Sequence, residues 1–433
     1  MKNFKNSGIE WLGEIPEHWE VVKCKNFFIL QNKIIGDLWS KTRLLSLTLN
    51  GIVERNINNP EGKFPSDFST YQVVDKNDLI FCLFDVEETP RTVGLSKING
   101  MITNAYTIFK IKEQEERFLT YFFINLDNGK KLKFLYRGLR KTISKEDLLN
   151  LKIPLPPLKE QEQIANFLDE KCEKIQNFIE KKEKLLSLLQ EQKQALINET
   201  ITKGLDKNVK LKNSGIEWLG EIPEHWEVRK LKMLFSFGNG LNITKADFIS
   251  FGIPCISYGE IHSKYPCHLD LSVHKLPFVS ETYLNDKPQS LLSKGDFVFA
   301  DTSEDIEGSG NFTCIQSNIP LFAGYHTIIL RSKTQIYSLS FSFLFDSIFV
   351  RNQIREKVWG VKVFSIIKSI LKEVQCFIPP LKEQEQIANF LDEKCEKIDS
   401  LITKIKKQIE LIKEYKTTLI NEAICGRMNL NKG

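Results

Sequence analysis

The stretch "PPLKEQEQIANFLDEKCEKI" occupies residues 156–175 and returns unchanged at residues 379–398. Each copy begins a long charged segment in which apolar residues recur at alternating steps of four and three. Such spacing, with Glu and Lys at the remaining positions, is typical of a coiled-coil seam. Prolines open each copy, and Gly204 and Gly426 close the two segments, which fits the beginning and end of a helix. The sequence therefore predicts a long helix from each proline pair to the glycine that follows.

The two predicted helices need a partner for their apolar stripes. At 1.5 Å per residue, ~44 residues make a helix ~65 Å long, which exceeds the diameter of a domain of this size. Because a solitary helix would expose its stripe, we expect an antiparallel coiled coil with pseudo-two-fold symmetry. The alternative is an amphipathic helix that lies on its own domain. The predicted seam residues are Ile164, Leu168, Ile175, Ile179, Leu186, Leu189 and Leu196 in the first helix and Ile387, Leu391, Ile398, Ile402, Ile405, Ile409, Ile412 and Leu419 in the second.

A second exact repeat precedes each variable region. "KNSGIEWLGEIPEHWEV" occupies residues 5–21 and returns at residues 212–228. Between the two kinds of block lie residues 22–155 and 229–378, which share no obvious sequence. A period of ~210 residues indicates a duplicated module, because a solenoid unit is much shorter. The repeated blocks are therefore duplicated, whereas the variable regions between them differ.

Composition limits the class of protein. With 433 residues, of which 42% are apolar, the chain should form two or more domains with real cores. A net charge of +5 excludes a strongly basic, histone-like binder, so any nucleic-acid surface must be local. The nine cysteines include no C-x-x-C and are expected to be reduced core thiols. With no apolar signal core and no run of ~18 apolar residues, we expect a cytoplasmic protein.

The variable regions repeat an order of local patterns. In the first, residues 73–85 and 104–111 are predicted strands around the turn-rich residues 86–100. In the second, residues 294–312 and 323–333 show the same order of strand, polar loop, glycine and strand. We therefore predict an α+β protein with two mixed α/β domains in tandem, each followed by a long helix. Equal folds with different loops are typical of recognition modules.

Each variable region also ends in a cation-rich segment. Residues 128–145 contain seven cations and no acid, interleaved with Phe134 and Tyr136. The matching segment carries Arg351, Arg355, Lys357, Lys362 and Lys368 beside Trp359 and Phe364. Cations near phosphates would displace counterions and make DNA affinity depend on salt. The alternative is a solvated helix face, which is less favoured because both modules show the feature at the same place.

These blocks together resemble the specificity (S) subunit of type I restriction-modification systems. The resemblance is carried by the twin "SGIEWLGEIPEHWEV" segments and by "IPLPPLKEQEQIANFLDEK" at residues 153–171 and "FIPPLKEQEQIANFLDEK" at residues 377–394. It extends to "GLSKINGMITNAYTIFKI" in the first variable region and to "FADTSEDIEGSG" and "AGYHTIILR" in the second. The second copy departs from the first in "FIPP" and in the segment before it, where "VFSIIKSILKEVQC" replaces "TISKEDLLNLK".

The resemblance implies an organisation and a set of partners. Residues 1–155 and 205–378 would be target-recognition domains, and residues 156–204 and 379–426 long helices that hold them apart. Each domain would read one half of a bipartite, asymmetric site in double-stranded DNA. Two modification subunits would bind the helices, and restriction subunits would join through them. S-adenosylmethionine, ATP and Mg²⁺ are implied for those partner subunits, and no cofactor, metal or membrane for this chain.

Candidate DNA-contacting residues are polar loop residues and exposed cations. The predicted base readers are Arg91, Thr92, Lys97 and Asn104 in the first domain and Thr302, Ser303, Glu304 and His326 in the second, because such side chains can donate to or accept from base edges. The predicted phosphate contacts are Arg137, Arg140, Lys141 and Lys362. Half-sites one helical turn apart, ~34 Å, lie on the same face of DNA, so the helix length is expected to fix the spacer.

The repeated tryptophan segment has two interpretations. Trp11, Leu12, Ile15, Pro16 and Trp19 form a compact apolar set, and Trp218, Leu219, Ile222, Pro223 and Trp226 repeat it. We expect each set to pack at the junction between a recognition domain and the helix ends, since identical junctions explain identical segments. The alternative is that these tryptophans contact DNA.

Two other function classes remain to be weighed. The sequence contains neither an N/D-P-P-Y/F loop nor a Walker A loop, so we expect neither methyl transfer nor ATP-driven translocation from this chain, and we predict that it is not an enzyme. The acidic set Asp301, Glu304, Asp305 and Glu307 could hold Mg²⁺ for a nuclease, but a turn-forming or donor-reading loop is favoured. The runner-up to the specificity subunit is a coiled-coil scaffold without direct DNA readout.

Overall fold

The protein forms two compact units, each containing parts of both long helices. The computed structural model describes residues 3–9, 12–56, 67–216, 220–263, 267–269, 271, 274–360 and 362–428. Unit 1 comprises Met1–Glu183 and Lys406–Gly433, and unit 2 comprises Lys184–Ile405. The domains predicted from the sequence follow chain order, whereas each compact unit also takes in a helix segment from the other repeat.

The two predicted long helices are confirmed, with the expected ends. α3 spans Leu158–Lys203 and α10 spans Leu381–Ile424, each beginning directly after a proline pair. The glycines beyond their ends, Gly204 and Gly426, both have φ of +72°. This left-handed conformation is readily adopted by glycine and strained for other residues, so the two glycines act as helix stops.

Within each unit, the α3 and α10 segments run antiparallel. In unit 1, Glu183 of α3 lies 3.8 Å from Lys413 Nζ, while the other end of that α10 segment packs beside the start of α3 (below). In unit 2, Lys193 Nζ lies 2.7 Å from Asp399 Oδ2, and a Cβ on Gly204 at the end of α3 would lie 3.0 Å from Glu383 at the start of α10. The predicted antiparallel pairing is therefore confirmed.

Burial along the helices follows the 4-3 pattern. Most predicted seam residues are buried, and the others are half-buried: Leu186, Leu189, Leu196, Ile398 and Ile412. Near the end of α3, Ile197 and Ile201 are the more deeply buried side chains, because they pack into the core of unit 2. The seam thus passes into a domain contact at the end of the helix.

Unit 1 is built on two small sheets. Its strands are Phe4–Asn6 (β1), Glu14–Pro16 (β2), Glu20–Lys23 (β3), Phe28–Gln31 (β4), Leu44–Thr48 (β5), Gly51–Arg55 (β6), Gln72–Val74 (β7), Leu79–Phe81 (β8), Val93–Leu95 (β9), Gly100–Ile102 (β10), Thr107–Ile111 (β11) and Lys152–Leu155 (β12), and its shorter helices are Glu116–Asn128 (α1) and Lys145–Asn150 (α2). The sheets have the orders β6-β5-β10-β7 and β4-β11-β8-β9. The pair β1–β2 forms within the repeated segment, and the pair β3–β12 joins the end of that segment to the strand before α3.

Unit 2 follows the same plan with more elements. Its strands are Leu211–Asn213 (β13), Glu221–Pro223 (β14), Glu227–Lys230 (β15), Phe235–Asn239 (β16), Ile253–Ile256 (β17), Cys267–Leu269 (β18), Phe278–Val279 (β19), Leu291–Leu292 (β20), Phe297–Ala300 (β21), Thr302–Ser303 (β22), Phe312–Ile315 (β23), Leu321–Ala323 (β24), Thr327–Ser332 (β25), Phe364–Ser365 (β26) and Gln375–Ile378 (β27). Its shorter helices are Leu231–Leu234 (α4), Tyr258–Ser263 (α5), Tyr283–Asp286 (α6), Ser338–Asp346 (α7), Ile348–Arg355 (α8) and Lys368–Glu373 (α9).

The two units share their sheet topology despite unrelated sequences. β11 lies between β4 and β8, as β25 lies between β16 and β21. A parallel pair occurs in each second sheet, β5–β10 and β17–β24. The equivalent aromatic residues Phe28 and Phe235 begin equivalent strands and lie in each aromatic core. The predicted tandem of mixed α/β domains is thus confirmed.

The turn-rich region predicted in the first domain contains a short strand. The predicted turn-rich residues 86–100 contain β9, a strand of three residues whose short apolar run is hidden among turn formers. β9 includes Gly94, where a Cβ would lie 2.8 Å from Leu47 Cδ1.

All nine cysteines are free, and all but Cys267 are buried. In the part of the chain that the structure describes, no helix is both long and apolar enough to cross a bilayer.

Candidate nucleic-acid interface

The repeated tryptophan segments lie at the ends of the long helices. In unit 1, Trp19 is fully buried, and its indole Nε1 donates to Glu160 Oε2 (3.2 Å) in the first turn of α3. His18 Nε2 lies 2.7 Å from the same oxygen. A Cβ on Gly426, just beyond α10, would lie 2.9 Å from the Trp19 ring. Trp19 therefore occupies the point where one long helix begins and the other ends.

Unit 2 repeats this junction contact by contact. Trp226 is fully buried, its Nε1 donates to Glu383 Oε2 (3.1 Å), and His225 Nε2 lies 2.8 Å from that oxygen. A Cβ on Gly204 would lie 3.2 Å from the Trp226 ring. The junction interpretation is confirmed for these two tryptophans, whose burial leaves no surface for DNA. Trp11, Trp218 and Leu219 lie outside the described residues.

A glutamine in each repeated block fixes the variable region to its helix. Gln161 accepts from the backbone amide of Glu115 (3.1 Å) and donates to the Pro156 carbonyl (2.8 Å). Gln384 makes the same bonds to Tyr337 (2.9 Å) and Pro379 (2.9 Å). Sequence reasoning missed this pair, because one polar residue in an identical block carries no distinguishing signal.

The loop after the central strand of unit 1 is braced by Lys130. This loop connects β8 to β9, and Lys130 Nζ donates to the carbonyls of Val86 (3.0 Å) and Thr89 (2.8 Å) and to Asp127 Oδ1 (2.8 Å). Asp127 is almost fully buried and also accepts from Arg91 Nη1 (3.3 Å) and from the Thr92 amide (2.9 Å). These bonds hold both ends of the loop on the end of α1.

The corresponding loop of unit 2, between β22 and β23, is braced by two arginines. Arg355 Nη2 donates to the Glu307 carbonyl. Arg351 donates to Asn311 Oδ1 (2.9 Å) and pairs with Asp346 (2.8 Å). Lys130, just after α1, and the two arginines of α8 thus perform the same task in the two units.

His262 extends this bracing to the base of the loop. Its Nε2 lies 2.7 Å from the Thr302 carbonyl, which can only accept, so Nε2 carries the hydrogen. Its Nδ1 then accepts from the side-chain Nδ2 of Asn311 (2.9 Å). The loop is therefore held by a continuous polar network from Asp346 to Thr302.

A cationic hairpin lies beside the braced loop in unit 1. Arg137 and Thr142 exchange both backbone hydrogen bonds, at 2.9 and 3.0 Å, and close a tip of four residues. The Arg140 carbonyl accepts from the Asp85 amide (2.8 Å), which attaches the hairpin to the loop after β8. Leu139, at the tip, is fully exposed.

Unit 2 has a hairpin at the equivalent place in the chain. Trp359 and Ser365 form an isolated antiparallel bridge, and β26 pairs with β22 at the base of the braced loop. The backbone amide of the residue after each hairpin donates to a carbonyl just beyond the end of β8 or β21: Ile143 to Leu83 (2.8 Å) and Ile366 to Asp301 (2.7 Å). The cation-rich segments noticed in the sequence are therefore equivalent in structure.

The predicted base readers fall into two groups. Lys97, Asn104, Glu304 and His326 are exposed, whereas Arg91, Thr92, Thr302 and Ser303 are buried or half-buried. Arg91 and Thr92 serve the bracing of their loop through Asp127, as described above. His326 Nδ1 lies 3.1 Å from Asp301 Oδ1. The role of all eight residues in DNA contact stays a prediction.

The predicted phosphate contacts lie at the surface, and the two arginines among them pair with less exposed aspartates. Arg137 is 70% exposed and pairs with Asp147 (2.7 Å), which is 19% exposed. Arg140 is 69% exposed and pairs with Asp85 (2.6 Å), which is 33% exposed. The Arg140 guanidinium lowers the pKa of Asp85 through this hydrogen bond. Lys141 and Lys362 are exposed. The outermost charge of the first hairpin is thus positive.

The acidic set in unit 2 forms local contacts. Asp305 Oδ1 accepts from the Gly308 amide (2.6 Å) and shapes the turn, and Asp301 contacts His326. Within the ranges that the structure describes, no three His, Cys, Asp or Glu side chains come together as ligands for a metal. The geometry therefore favours a turn-forming role for Asp305.

Comparisons with known proteins agree with this architecture. The family model of the type I restriction modification DNA specificity domain matches residues 16–188 and 223–411. The Type I restriction enzyme MjaVIII specificity subunit of Methanocaldococcus jannaschii is 26% identical over 440 residues, which cover 96% of this chain and 95% of that protein.

Two solved structures share the fold. A chain from a structure of a type I R-M system, studied for complex assembly and conformational transition, has a TM-score of 0.71 and 14% identity, and the match covers 96% of this chain and 99% of that one. The HsdS subunit from Thermoanaerobacter tengcongensis has a TM-score of 0.51 and 15% identity, with coverage of 96% and 98%. Because the family model matches both repeats and most of the chain, the protein belongs to the family of type I restriction-modification DNA specificity domains.

Proposed function

We propose that this chain is the sequence-specific DNA-binding specificity subunit of a type I restriction-modification complex. Each unit reads one half of a bipartite, asymmetric site, and partner subunits methylate adenine or cut the DNA. The observation that carries the proposal is that both units present, at equivalent places, a braced loop beside an exposed hairpin with cations. Rigid loops of different sequence on a shared framework suit readout of two different half-sites.

The chemistry is assigned to the partner subunits. The chain has neither a methyltransferase N/D-P-P-Y/F loop nor a Walker A loop, so we propose that it is non-catalytic and that S-adenosylmethionine, ATP and Mg²⁺ are bound by the partners. Its own part is to bind and orient DNA.

Two modification subunits are proposed to dock on the long helices, with restriction subunits joining through them. Both helices carry exposed large apolar side chains on their outer faces: Phe178, Leu185 and Leu188 on α3 and Leu401, Leu411 and Tyr415 on α10. Such side chains favour a protein partner. Because the two junctions are equivalent, we propose one modification subunit for each.

The experiment that tests the proposed function is methylation sequencing. DNA from cells that express this chain with its neighbouring modification subunit is compared with DNA from cells that lack this chain. A bipartite methyladenine motif that depends on the chain is expected, and it would define both half-sites. Co-purification of the subunits without any motif would favour the coiled-coil scaffold.

Arg140→Ala is expected to weaken binding to DNA of any sequence. Each phosphate contact contributes ~0.9 to the slope of log K against log salt on duplex DNA. Loss of the Arg140 contact should therefore reduce that slope by about one. The measurement is fluorescence anisotropy of a random-sequence duplex at several salt concentrations.

Asp85→Asn is the matched control for Arg140→Ala. It removes the acid that pairs with Arg140, and asparagine accepts the positive φ of Asp85 (47°). The freed guanidinium should raise non-specific affinity. Equal salt slopes in wild type and Arg140→Ala would show that Arg140 makes no phosphate contact.

A further inference from the structure

An apolar side chain stands alone at the tip of the unit 1 hairpin. Leu139 is fully exposed, and its chain neighbours are Gly138 and Arg140. Gly138 has φ of +64°, so the turn bends sharply and directs residue 139 away from the domain. Exposing one leucine to water costs little free energy. The side chain contributes no hydrophobic stabilisation there, since that requires burial.

Unit 2 presents Trp359 at its equivalent hairpin. Trp359 is 76% exposed, in contrast to the fully buried Trp19 and Trp226. A Cβ on Gly360 would lie 2.1 Å from the Val363 carbonyl, so the turn requires glycine next to the tryptophan. Both hairpins have a glycine directly after the bridge residue, Gly138 after Arg137 and Gly360 after Trp359. Leu139 lies at the tip of its hairpin and Trp359 at the base of the other, and each is a large exposed apolar side chain beside the glycine.

The charges around Leu139 and Trp359 indicate the kind of partner. In the unit 1 hairpin, Arg137 and Arg140 are more exposed than the acids they pair with. In unit 2, exposed Lys357 and Lys362 flank Trp359. An exposed apolar side chain between exposed cations fits a polyanion with an apolar interior, which is the chemistry of duplex DNA.

We propose that Leu139 and Trp359 are wedges that enter the DNA groove and pack against the bases, while the flanking cations hold the phosphates. This inference rests on the proposed function and adds a contact that the polar base readers do not supply. Apolar side chains that enter the minor groove unstack base steps and bend the duplex. Each unit would thus distort its half-site as well as read it.

The test uses the full chain in complex with its modification subunits and the target duplex defined by methylation sequencing. Leu139→Ala and Trp359→Ala are each expected to weaken target affinity about tenfold, in the range of apolar and stacking contacts with bases. The salt slope should stay that of wild type, because no cation is removed. DNA bending, measured by energy transfer between dyes at the duplex ends, should decrease.

Two further variants separate a wedge from a general effect. Trp359→Phe should keep most of the affinity, because phenylalanine still stacks. Leu38→Ala removes another exposed leucine of unit 1, 65% exposed, and should leave affinity and bending unchanged. Since these side chains are exposed, none of the variants should alter folding, which thermal melting checks.

The outcomes distinguish this inference from the proposed function. Unchanged affinity and bending in both Leu139→Ala and Trp359→Ala, with normal binding by wild type, would overturn the wedges and leave the proposed function intact. Loss of the modification subunits from these variant complexes would also overturn them, since the two side chains would then bind protein. A wild-type complex that binds no duplex would overturn the proposed function and the wedges together.

Discussion

Replacing Trp19 by alanine is expected to lower the free energy of unfolding of unit 1 by about 3–5 kcal/mol, the usual loss for a fully buried aromatic side chain. Trp19 has no exposed surface, so its removal leaves a cavity between the start of α3 and the end of α10. The Glu160 carboxylate also loses the indole donor. The measurement is urea unfolding of the full chain followed by far-ultraviolet circular dichroism.

The chain contains two matched comparisons for this variant. Trp226→Ala removes the same side chain from the identical segment of unit 2 and should cause an equal loss there, because its contacts repeat those of Trp19. Trp359→Ala removes an exposed tryptophan and should change stability by less than about 0.5 kcal/mol. A loss in Trp19→Ala as small as that in Trp359→Ala would contradict the junction role.

The repeats made the long helices and the junctions predictable. Identical segments around different contents imply identical contacts, and a 4-3 apolar pattern over more than forty residues has few other solutions. The structure adds what periodicity does not contain. Gly204 and Gly426 end the helices, and they also pack against the tryptophan of the segment beside them. Close approach of backbone and ring leaves no trace in local sequence patterns.

The candidate interface was less predictable, because residues of the same type occupy different environments in the folded protein. Lys130 and Arg140 belong to the same cation-rich segment, yet Lys130 binds carbonyls about forty residues earlier in the chain. Arg140 instead stays exposed and pairs with Asp85, which is itself partly exposed. Only tertiary contacts distinguish a cation that holds a loop in place from a cation at the surface. The same applies to Arg91, which appears in sequence as a loop residue and is held by the buried Asp127.

Removing one heptad from each long helix is expected to change or abolish the spacer of the recognised DNA site. Residues 181–187 and 405–411 are suitable, because each of these segments contains the boundary between unit 1 and unit 2 along its helix. Seven residues are nearly two helical turns, so the seam keeps its face within ~20°. The helices shorten by ~10 Å, which corresponds to about three base pairs of duplex.

Methylation sequencing of cells that carry this double deletion gives the result directly, because the spacer is the run of unspecified bases between the half-sites. The control replaces both heptads by copies of neighbouring seam heptads, which keeps the helix length, and it should preserve the wild-type motif. If the half-sites are set by loops and their separation by the helices, the deletion changes the spacer without changing either half-site sequence. An unchanged spacer in a folded double deletion would show that the helices do not fix the separation, and the spacer would then have to be set by the partner subunits.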